Sequence, residues 1–216
     1  MTETEIKEVV RKVLSQQGLS ANISDNKKII PIEASARHVH LTEEAVKKLF
    51  GEVVKLKNKR NLSQPGEFLS EQRVKLVTAK GEITNVAILG PERKAVQVEL
   101  SMTDCIKLGI KAPVNLSGNL KGAGDVLIVG ENGIFEAKGS VIVAQNHIHM
   151  TPSDATSFDV KNGDVVRVAL DSARPLTFDK VFVRVNSNFS LAMHIDFDEA
   201  NACTLGKDAT GRLLKK

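Results

Sequence analysis

The chain opens with apolar residues at helical spacing. Within residues 2–17 they recur three and four positions apart and form one stripe along a predicted amphipathic helix: Ile6, Val9, Val10, Val13 and Leu14. A weakly patterned polar stretch follows Gly18. Residues 1–22 are therefore predicted to be a helix and linker set apart from the body. The helix either folds back on the chain or docks into a partner's groove.

After Lys28 the pattern changes to short β-type runs separated by turn signals. The predicted strands are 29–34, 52–56, 73–78, 83–89, 95–100, 126–129, 140–144, 165–169, 181–185 and 191–195. Short helices, each opening on Thr or Pro, are predicted at 42–50, 103–108 and 152–158. Many short strands with few helices predict a mainly β fold of barrels or sandwiches.

A weak internal repeat refines this expectation. The sequence His38-Val-His40-Leu-Thr42 returns as His147-Ile-His149-Met-Thr151 about half a chain later. Each copy leads into a predicted short helix and then into a Gly-acid-Val-Val run, at 51–56 and 163–168. Repeated units imply two similar small β-barrels with short capping helices, related by a pseudo-twofold axis.

The histidines predict a metal site. All 5 histidines of the chain belong to these two motifs or stand at His194. In an extended strand, residues two apart point the same way, so both imidazoles of a His-x-His pair can reach one ion. Imidazole with a carboxylate suits zinc, and this many ligands exceeds one open tetrahedral site, so two metals are expected. The candidate carboxylates are Glu99, Asp196, Asp198 and Glu199.

Composition and charge narrow the function classes. Hydrophobic residues make up 42% of the 216, which excludes a mainly disordered chain. No apolar run is long enough to cross a membrane and no secretory signal opens the chain, so we expect a soluble cytoplasmic protein. The 2 cysteines suggest no disulfide framework. A net charge of +4 favours anionic partners, but aromatics are only 4%, all Phe, which disfavours nucleic acid and favours a small polyanionic substrate.

One arginine stands out beside the predicted metal ligands. Arg93 closes the turn Gly90-Pro-Glu-Arg93, and Gln97 and Glu99 lie on one side of the strand that follows. Near metal ions, a guanidinium group is suited to bind a carboxylate or phosphate through two parallel hydrogen bonds.

These motifs together resemble the phosphate propanoyltransferase (PduL-type phosphotransacylase) family. The resemblance runs in chain order from about Ile30 to Ala202. Its motifs are Ser35-Ala-Arg37-His38-Val-His40-Leu-Thr42, Gln64-Pro-Gly-Glu-Phe68, Leu89-Gly-Pro-Glu-Arg93, Gln97-Val-Glu99-Leu-Ser-Met-Thr-Asp104, Ser117-Gly118, His147-Ile-His149-Met150 and Met193-His194-Ile-Asp-Phe-Asp-Glu-Ala-Asn-Ala202.

The resemblance implies the interconversion of a short-chain acyl-CoA and phosphate with acyl phosphate and CoA, at a dinuclear zinc site. It assigns Arg93 to phosphate as the catalytic residue and makes Gln97 and Ser117 neighbours of the substrate. The implied zinc ligands are His38, His40, Glu99, His147, His149 and His194. One departure is Asn146, where the family usually has a basic residue.

The resemblance also implies how the chain is organised and where it works. The first barrel is expected over 37–144, and the second over 145–214, completed by the strand at 28–36. The family often resides in bacterial microcompartments, for example in propanediol degradation, and an N-terminal amphipathic peptide directs encapsulation. Residues 1–22 are therefore expected to contact shell or cargo proteins. A homo-oligomer is expected as well.

Two alternatives remain open from the residues alone. A cupin-like metal enzyme also places His-x-His, Glu and His on a β-barrel, although its usual glycine spacing is missing here. The other is a non-catalytic, zinc-stabilised microcompartment-associated protein, whose metal ligand sets would be closed to added anions.

Overall fold

The computed structural model of the protein describes residues 28–214. The helix and linker expected over 1–22 lie outside these residues and stay a prediction. The described chain is mainly β with short helices, which confirms the expected fold class. None of its helices is both long and apolar enough to span a bilayer.

The described chain contains fourteen strands and four short helices. They are β1 Ile29–Ser35, β2 His38–His40, β3 Asn58–Asn61, β4 Phe68–Val77, β5 Glu82–Gly90, β6 Gln97–Leu100, β7 Val114–Asn115, β8 Gly124–Val129, β9 Ile134–Ala144, β10 His147–Met150, β11 Val165–Asp171, β12 Leu176–Val185, β13 Ala192–Asp196 and β14 Thr210–Leu214. The helices are α1 Glu43–Phe50, α2 Met102–Leu108, α3 Pro152–Phe158 and α4 Phe197–Ala202.

The first barrel is closed by β4, β5, β2, β6, β9 and β8, because β8 pairs with both β4 and β9. Strand β3 extends the sheet beside β4, and β7 pairs with β9. The interior is filled by aliphatic side chains that alternate along these strands, among them Val39, Ile88, Val98 and Val141. A barrel of this kind leaves few unpaired strand edges, so its backbone groups are satisfied within the sheet.

The second barrel contains β1, β13, β10, β12, β11 and β14 in that order. Strand β1 runs parallel to β13 and antiparallel to β14. The first strand of the described chain therefore completes a barrel whose other strands all follow residue 146. A separate aliphatic cluster fills this barrel, with Ile30, Ile148, Met150 and Met193 at its centre.

A threonine after each His-x-His pair begins a helix. The Thr42 hydroxyl accepts a hydrogen bond from the Ala45 amide at 3.1 Å, and the Thr151 hydroxyl accepts one from Asp154 at the same distance. Both repeats therefore turn from a histidine strand directly into a capping helix, α1 or α3. The predicted helix at 152–158 is confirmed residue for residue.

The predicted strand at 52–56 is wrong. This segment is a turn and irregular chain, and Val53 is 94% exposed. The Gln72 carboxamide takes the place of a strand partner: its oxygen accepts from the Lys57 amide at 3.0 Å and its nitrogen donates to the Lys55 carbonyl at 2.8 Å. The Gly-acid-Val-Val run forms a strand only in the second repeat, where β11 begins at Val165.

Candidate active site

The two histidine strands face one cavity of about 500 Å³ lined by residues of both barrels. In the first barrel, β2 pairs with β6 so that His38 lies opposite Glu99 and His40 opposite Gln97. In the second, β10 pairs with β13 so that His147 lies opposite His194. Strand register thus brings side chains that are far apart in sequence together at this cavity. All of the proposed metal ligands line it: His38, His40, Glu99, His147, His149 and His194.

The first cluster consists of His38, His40 and Glu99. Their ligand atoms, one from each residue, all lie within 4.8 Å of one another. Among the described residues, no other three His, Cys, Asp or Glu side chains bring their ligand atoms this close together. The His38 Nε2 atom is 3.6 Å from Glu99 Oε2. All three residues are buried, and two imidazoles with one carboxylate are donors that suit zinc.

The second cluster consists of His147, His149 and His194. The ring centroids are 4.7 Å apart for His147 and His149, 5.4 Å for His147 and His194, and 4.9 Å for His149 and His194. Both ring nitrogens of His149 and the Nε2 of His194 are buried with no hydrogen-bond partner in the described part of the chain. Buried polar atoms are normally paired, so these orphaned nitrogens fit a site for a metal ion.

Both clusters orient their leading histidine in the same way. The Nδ1 of His38 is 2.8 Å from the Ala36 carbonyl, and the Nδ1 of His147 is 2.8 Å from the Gln145 carbonyl. In each case the partner lies two residues back along the chain. A ring that donates Nδ1–H to a carbonyl presents an unprotonated Nε2, which is the form that binds a metal.

The electrostatics of the cavity keep the imidazoles of His40, His147 and His194 neutral. Burial, together with the charges of His38 and Arg93, holds the pKa of His40 well below its ordinary value. Burial is also the main cause that lowers the pKa of His147 and of His194, each to about 4. For Glu99, burial opposes ionisation, but the neighbouring His38, the Ser117 hydroxyl, His147 and Arg93 outweigh it and lower the carboxyl pKa. At neutral pH the cavity therefore offers neutral imidazoles at His40, His147 and His194 and one carboxylate at Glu99, ready for a cation.

A hydrogen-bonded group of polar side chains adjoins the first cluster. Arg93 donates from Nη2 to Glu67 Oε1 at 2.9 Å, and its Nη1 lies 3.4 Å from the Ser117 hydroxyl oxygen. Gln97 donates to Glu99 Oε1 at 2.6 Å and to the Ser117 oxygen at 2.8 Å, and its carbonyl accepts from the Gly118 amide at 2.8 Å. Gln97 thus ties the loop that carries Ser117 to the carboxylate of the first cluster. These contacts bring Arg93, Gln97 and Ser117 together.

The other three candidate carboxylates have structural partners. Asp196 and Glu199 form a reciprocal capping box at the start of α4, with bonds of 2.8 and 3.0 Å. Asp198 accepts a hydrogen bond from the Thr103 amide at 2.8 Å. Asn146 donates to Glu199 at 2.7 Å, so its side chain is also engaged outside the two clusters.

Arg184 is a cavity residue that the sequence analysis missed. It lies on β12, opposite His149 in the register, and its guanidinium carbon is 5.7 Å from the centroid of the Phe189 ring. Burial is the main cause that lowers its pKa from the ordinary value for arginine. The sequence contained one signal for a role of Arg184: it is the one charged side chain within the apolar run 181–185. A charged side chain inside a strand needs a polar environment.

Comparison with known proteins identifies the family. The family profile described as phosphate propanoyltransferase matches residues 31–206. The chain belongs to the phosphate propanoyltransferase family. Relatives of that name include proteins of Sebaldella termitidis, 43% identical with both chains covered in full, and of Leptotrichia buccalis, 45% identical with both covered in full. A phosphate propanoyltransferase of Listeria monocytogenes is 44% identical over 98% of this chain and 94% of its own.

Family membership confirms the resemblance found in the sequence motifs and makes the chain an enzyme, an acyltransferase with a phosphotransacylase role. It favours acyl transfer over the cupin-like alternative and over the non-catalytic one. The first cluster of this family member, His38, His40 and Glu99, is a set of residues that can hold a metal ion.

Proposed function

We propose that the chain transfers a short acyl group, propanoyl or acetyl, between CoA and phosphate, using two zinc ions held in the cavity. The observation that carries this proposal is the meeting of two three-residue ligand sets, one from each barrel, with Arg93 on the same cavity wall. The unpaired nitrogens of His149 and His194 support the second ion. Each set supplies three protein ligands and so leaves a coordination position for substrate.

The strand pairing suggests how the ligands divide. His38, His40 and Glu99 would hold one ion, and His147, His149 and His194 the other. A bound zinc ion supplies a Lewis acid that can polarise the thioester carbonyl and stabilise negative charge on its oxygen. Because each set lies in its own barrel, the relative position of the two barrels fixes the distance between the sites.

Arg93, Ser117 and Gln97 orient the nucleophile. A phosphate oxygen attacks the thioester carbonyl carbon, the carbon–sulfur bond breaks, and CoA leaves with the bonding electrons. Arg93 binds the attacking phosphate and offsets its charge, so that an oxygen is held within reach of the carbonyl carbon. Ser117 lies between Arg93 and Gln97, and Gln97 positions it through the hydrogen bonds described above.

The reaction needs no cysteine nucleophile. Burial and the charges of Asp104, Asp198 and Asp196 raise the pKa of Cys105 to about 11, so its reactive thiolate is scarce at neutral pH. Cys203 is fully buried, and burial raises its pKa as well. Direct attack by phosphate is therefore the simpler route.

The direct test of this function is thiol release from acetyl-, propionyl- and butyryl-CoA, measured with and without phosphate. We expect thiol release to require phosphate. The acyl phosphate, measured as its hydroxamate after trapping with hydroxylamine, should equal the thiol released. Thiol release at the same rate without phosphate would show a thioesterase instead. Oxygen consumption that depends on iron would favour the cupin-like alternative.

We further propose that residues 1–22 direct the enzyme into a bacterial microcompartment. A helix this short is only marginally stable alone, so its apolar stripe needs a partner or the body of the protein. Deleting 1–22 is expected to leave acyl transfer and the melting temperature nearly unchanged and to abolish co-localisation with shell proteins. Residues 1–22 fused to a fluorescent protein should gather at the shell in a host that expresses it. Diffuse fluorescence there, or a clear drop in melting temperature on deletion, would contradict the targeting role.

A further inference from the structure

The loop between β3 and β4, residues 62–67, contacts both barrels. It carries the first four residues of the Gln64-Pro-Gly-Glu-Phe68 motif, to which the proposed chemistry assigns no role. Although it connects strands of the first barrel, its Ser63 hydroxyl donates to Glu33 Oε2, on β1 of the second barrel, at 2.6 Å. Its Gln64 also reaches the second barrel, whereas its Glu67 accepts from Arg93 in the first. The loop thus spans the cavity wall that it helps to form.

Gln64 makes a two-way contact with the backbone of one residue. Its side-chain nitrogen donates to the Ser190 carbonyl at 3.0 Å, and its side-chain oxygen accepts from the Ser190 amide at 3.1 Å. The residue is only 5% exposed, so water cannot readily replace these bonds. Ser190 follows Phe189, whose ring stacks on the His149 imidazole with centroids 4.1 Å apart. Gln64 therefore fixes the segment that seats a histidine of the second cluster.

A tight turn joins this contact to Arg93. The Glu67 amide donates to the Gln64 carbonyl at 3.2 Å, with Pro65 and Gly66 between them. The φ of Gly66 is 82°, as the third position of a type II turn requires, and proline suits the second position. Glu67, at the end of this turn, holds the Arg93 guanidinium. One four-residue turn thus links the anion-binding arginine to the loop that packs on His149.

We propose that this turn is a strap that sets the position of Arg93 relative to the second histidine cluster, with Gln64 as its positioning residue. The inference rests on the proposed function, in which Arg93 binds phosphate. Phosphate held by Arg93 in the first barrel must lie within reach of an acyl group bound in a cavity that both barrels line, and a misplacement of about 1 Å can cost about 10²-fold in rate. Gln64 acts through Arg93 and Phe189, whose placement depends on the turn.

The test replaces Gln64 by leucine, which removes both hydrogen bonds at similar volume. We expect kcat/KM for phosphate to fall by about 10- to 100-fold, while KM for the acyl-CoA changes by less than about twofold. Gln64→Glu keeps the acceptor for the Ser190 amide but sets a buried carboxylate oxygen against the Ser190 carbonyl, so a loss in the same direction is expected. This second variant decides the question if Gln64→Leu does not fold.

Gln72→Leu is the matched control. Gln72 makes the same kind of two-way amide contact, with Lys55 and Lys57, but within the first barrel and away from the cavity lining. Its replacement is expected to lower the melting temperature without changing kcat/KM for phosphate. A kcat/KM for phosphate that falls equally in both variants would show a general loss of rigidity and overturn the strap.

Hydrogen exchange of the full chain tests the strap without any activity. In Gln64→Leu and Gln64→Glu, the Ser190 amide and the peptide at 186–191 should exchange faster, whereas Gln72→Leu should affect only 55–57. Unchanged exchange at Ser190, or an unchanged phosphate kcat/KM in an active enzyme, overturns the proposal. A wild-type chain with no phosphate-dependent thiol release contradicts the proposed function instead, and the exchange data then still decide whether Gln64 joins the two barrels.

Discussion

Replacing Arg93 by alanine is expected to lower kcat/KM for phosphate by about 10²- to 10³-fold, the typical cost of removing a charged contact to the reacting group in a desolvated site. The guanidinium is anchored by Glu67 at 2.9 Å and faces Ser117, so its position is set before phosphate arrives. KM for the acyl-CoA should change far less, because Arg93 is assigned to the other substrate. Steady-state kinetics with each substrate varied in turn measure the difference.

Two further variants sharpen this test. Arg93→Lys should restore only part of the rate, because an ammonium cannot hold Glu67 and phosphate in one planar fork. Arg167→Ala is the matched control, since it breaks an ion pair with Asp179 of 2.6 Å on the exposed surface, outside the cavity lining. Phosphate kinetics that are the same in Arg93→Ala and Arg167→Ala would reject the assignment of Arg93.

The fold could be predicted where local pattern decides structure. Alternating and continuous aliphatic runs located most of the barrel strands, and the Thr151-Pro152 start located α3. The pattern failed at 52–56, where a Val-rich segment is held by the side chain of Gln72 instead of by a strand. It could not show that β1 pairs with β13 and β14, because this pairing depends on contacts between distant parts of the chain.

The site was predictable to the extent that spacing encodes geometry. Residues i and i+2 of a strand point to the same face of the sheet, so each His-x-His pair was visible in the sequence as a possible pair of metal ligands. The pairing of His38 with Glu99 and of His147 with His194 is set by strand register, which local pattern does not reveal. Gln64 and Arg184 carried weaker signals, because their roles depend on groups of the second barrel, Ser190 and His149, that only the fold brings near.

Removing one ligand from either cluster is expected to abolish most of the activity and to cost one metal ion. His147→Ala should retain about one equivalent of zinc, held by His38, His40 and Glu99, and His38→Ala should retain about one, held by the second cluster. The reason is that each strand pair forms its own ligand set, so loss of one ligand empties one site and leaves the other intact. Elemental analysis of the purified variants measures this directly, beside thiol release, which should fall by at least about 10²-fold.

The two variants serve as controls for each other. If a single ion were shared by all six residues, each variant would lose that ion and retain none, whereas separate sites predict one retained ion in both. A wild-type protein with one equivalent or none, fully active after treatment with a chelator, would contradict the dinuclear site altogether. Comparing the melting temperatures of the variants with that of the metal-free wild type shows how much of any change in stability comes from the lost ion. Since both ring nitrogens of His149 and the Nε2 of His194 have no other partner in the described chain, the second site is expected to contribute clearly to that stability.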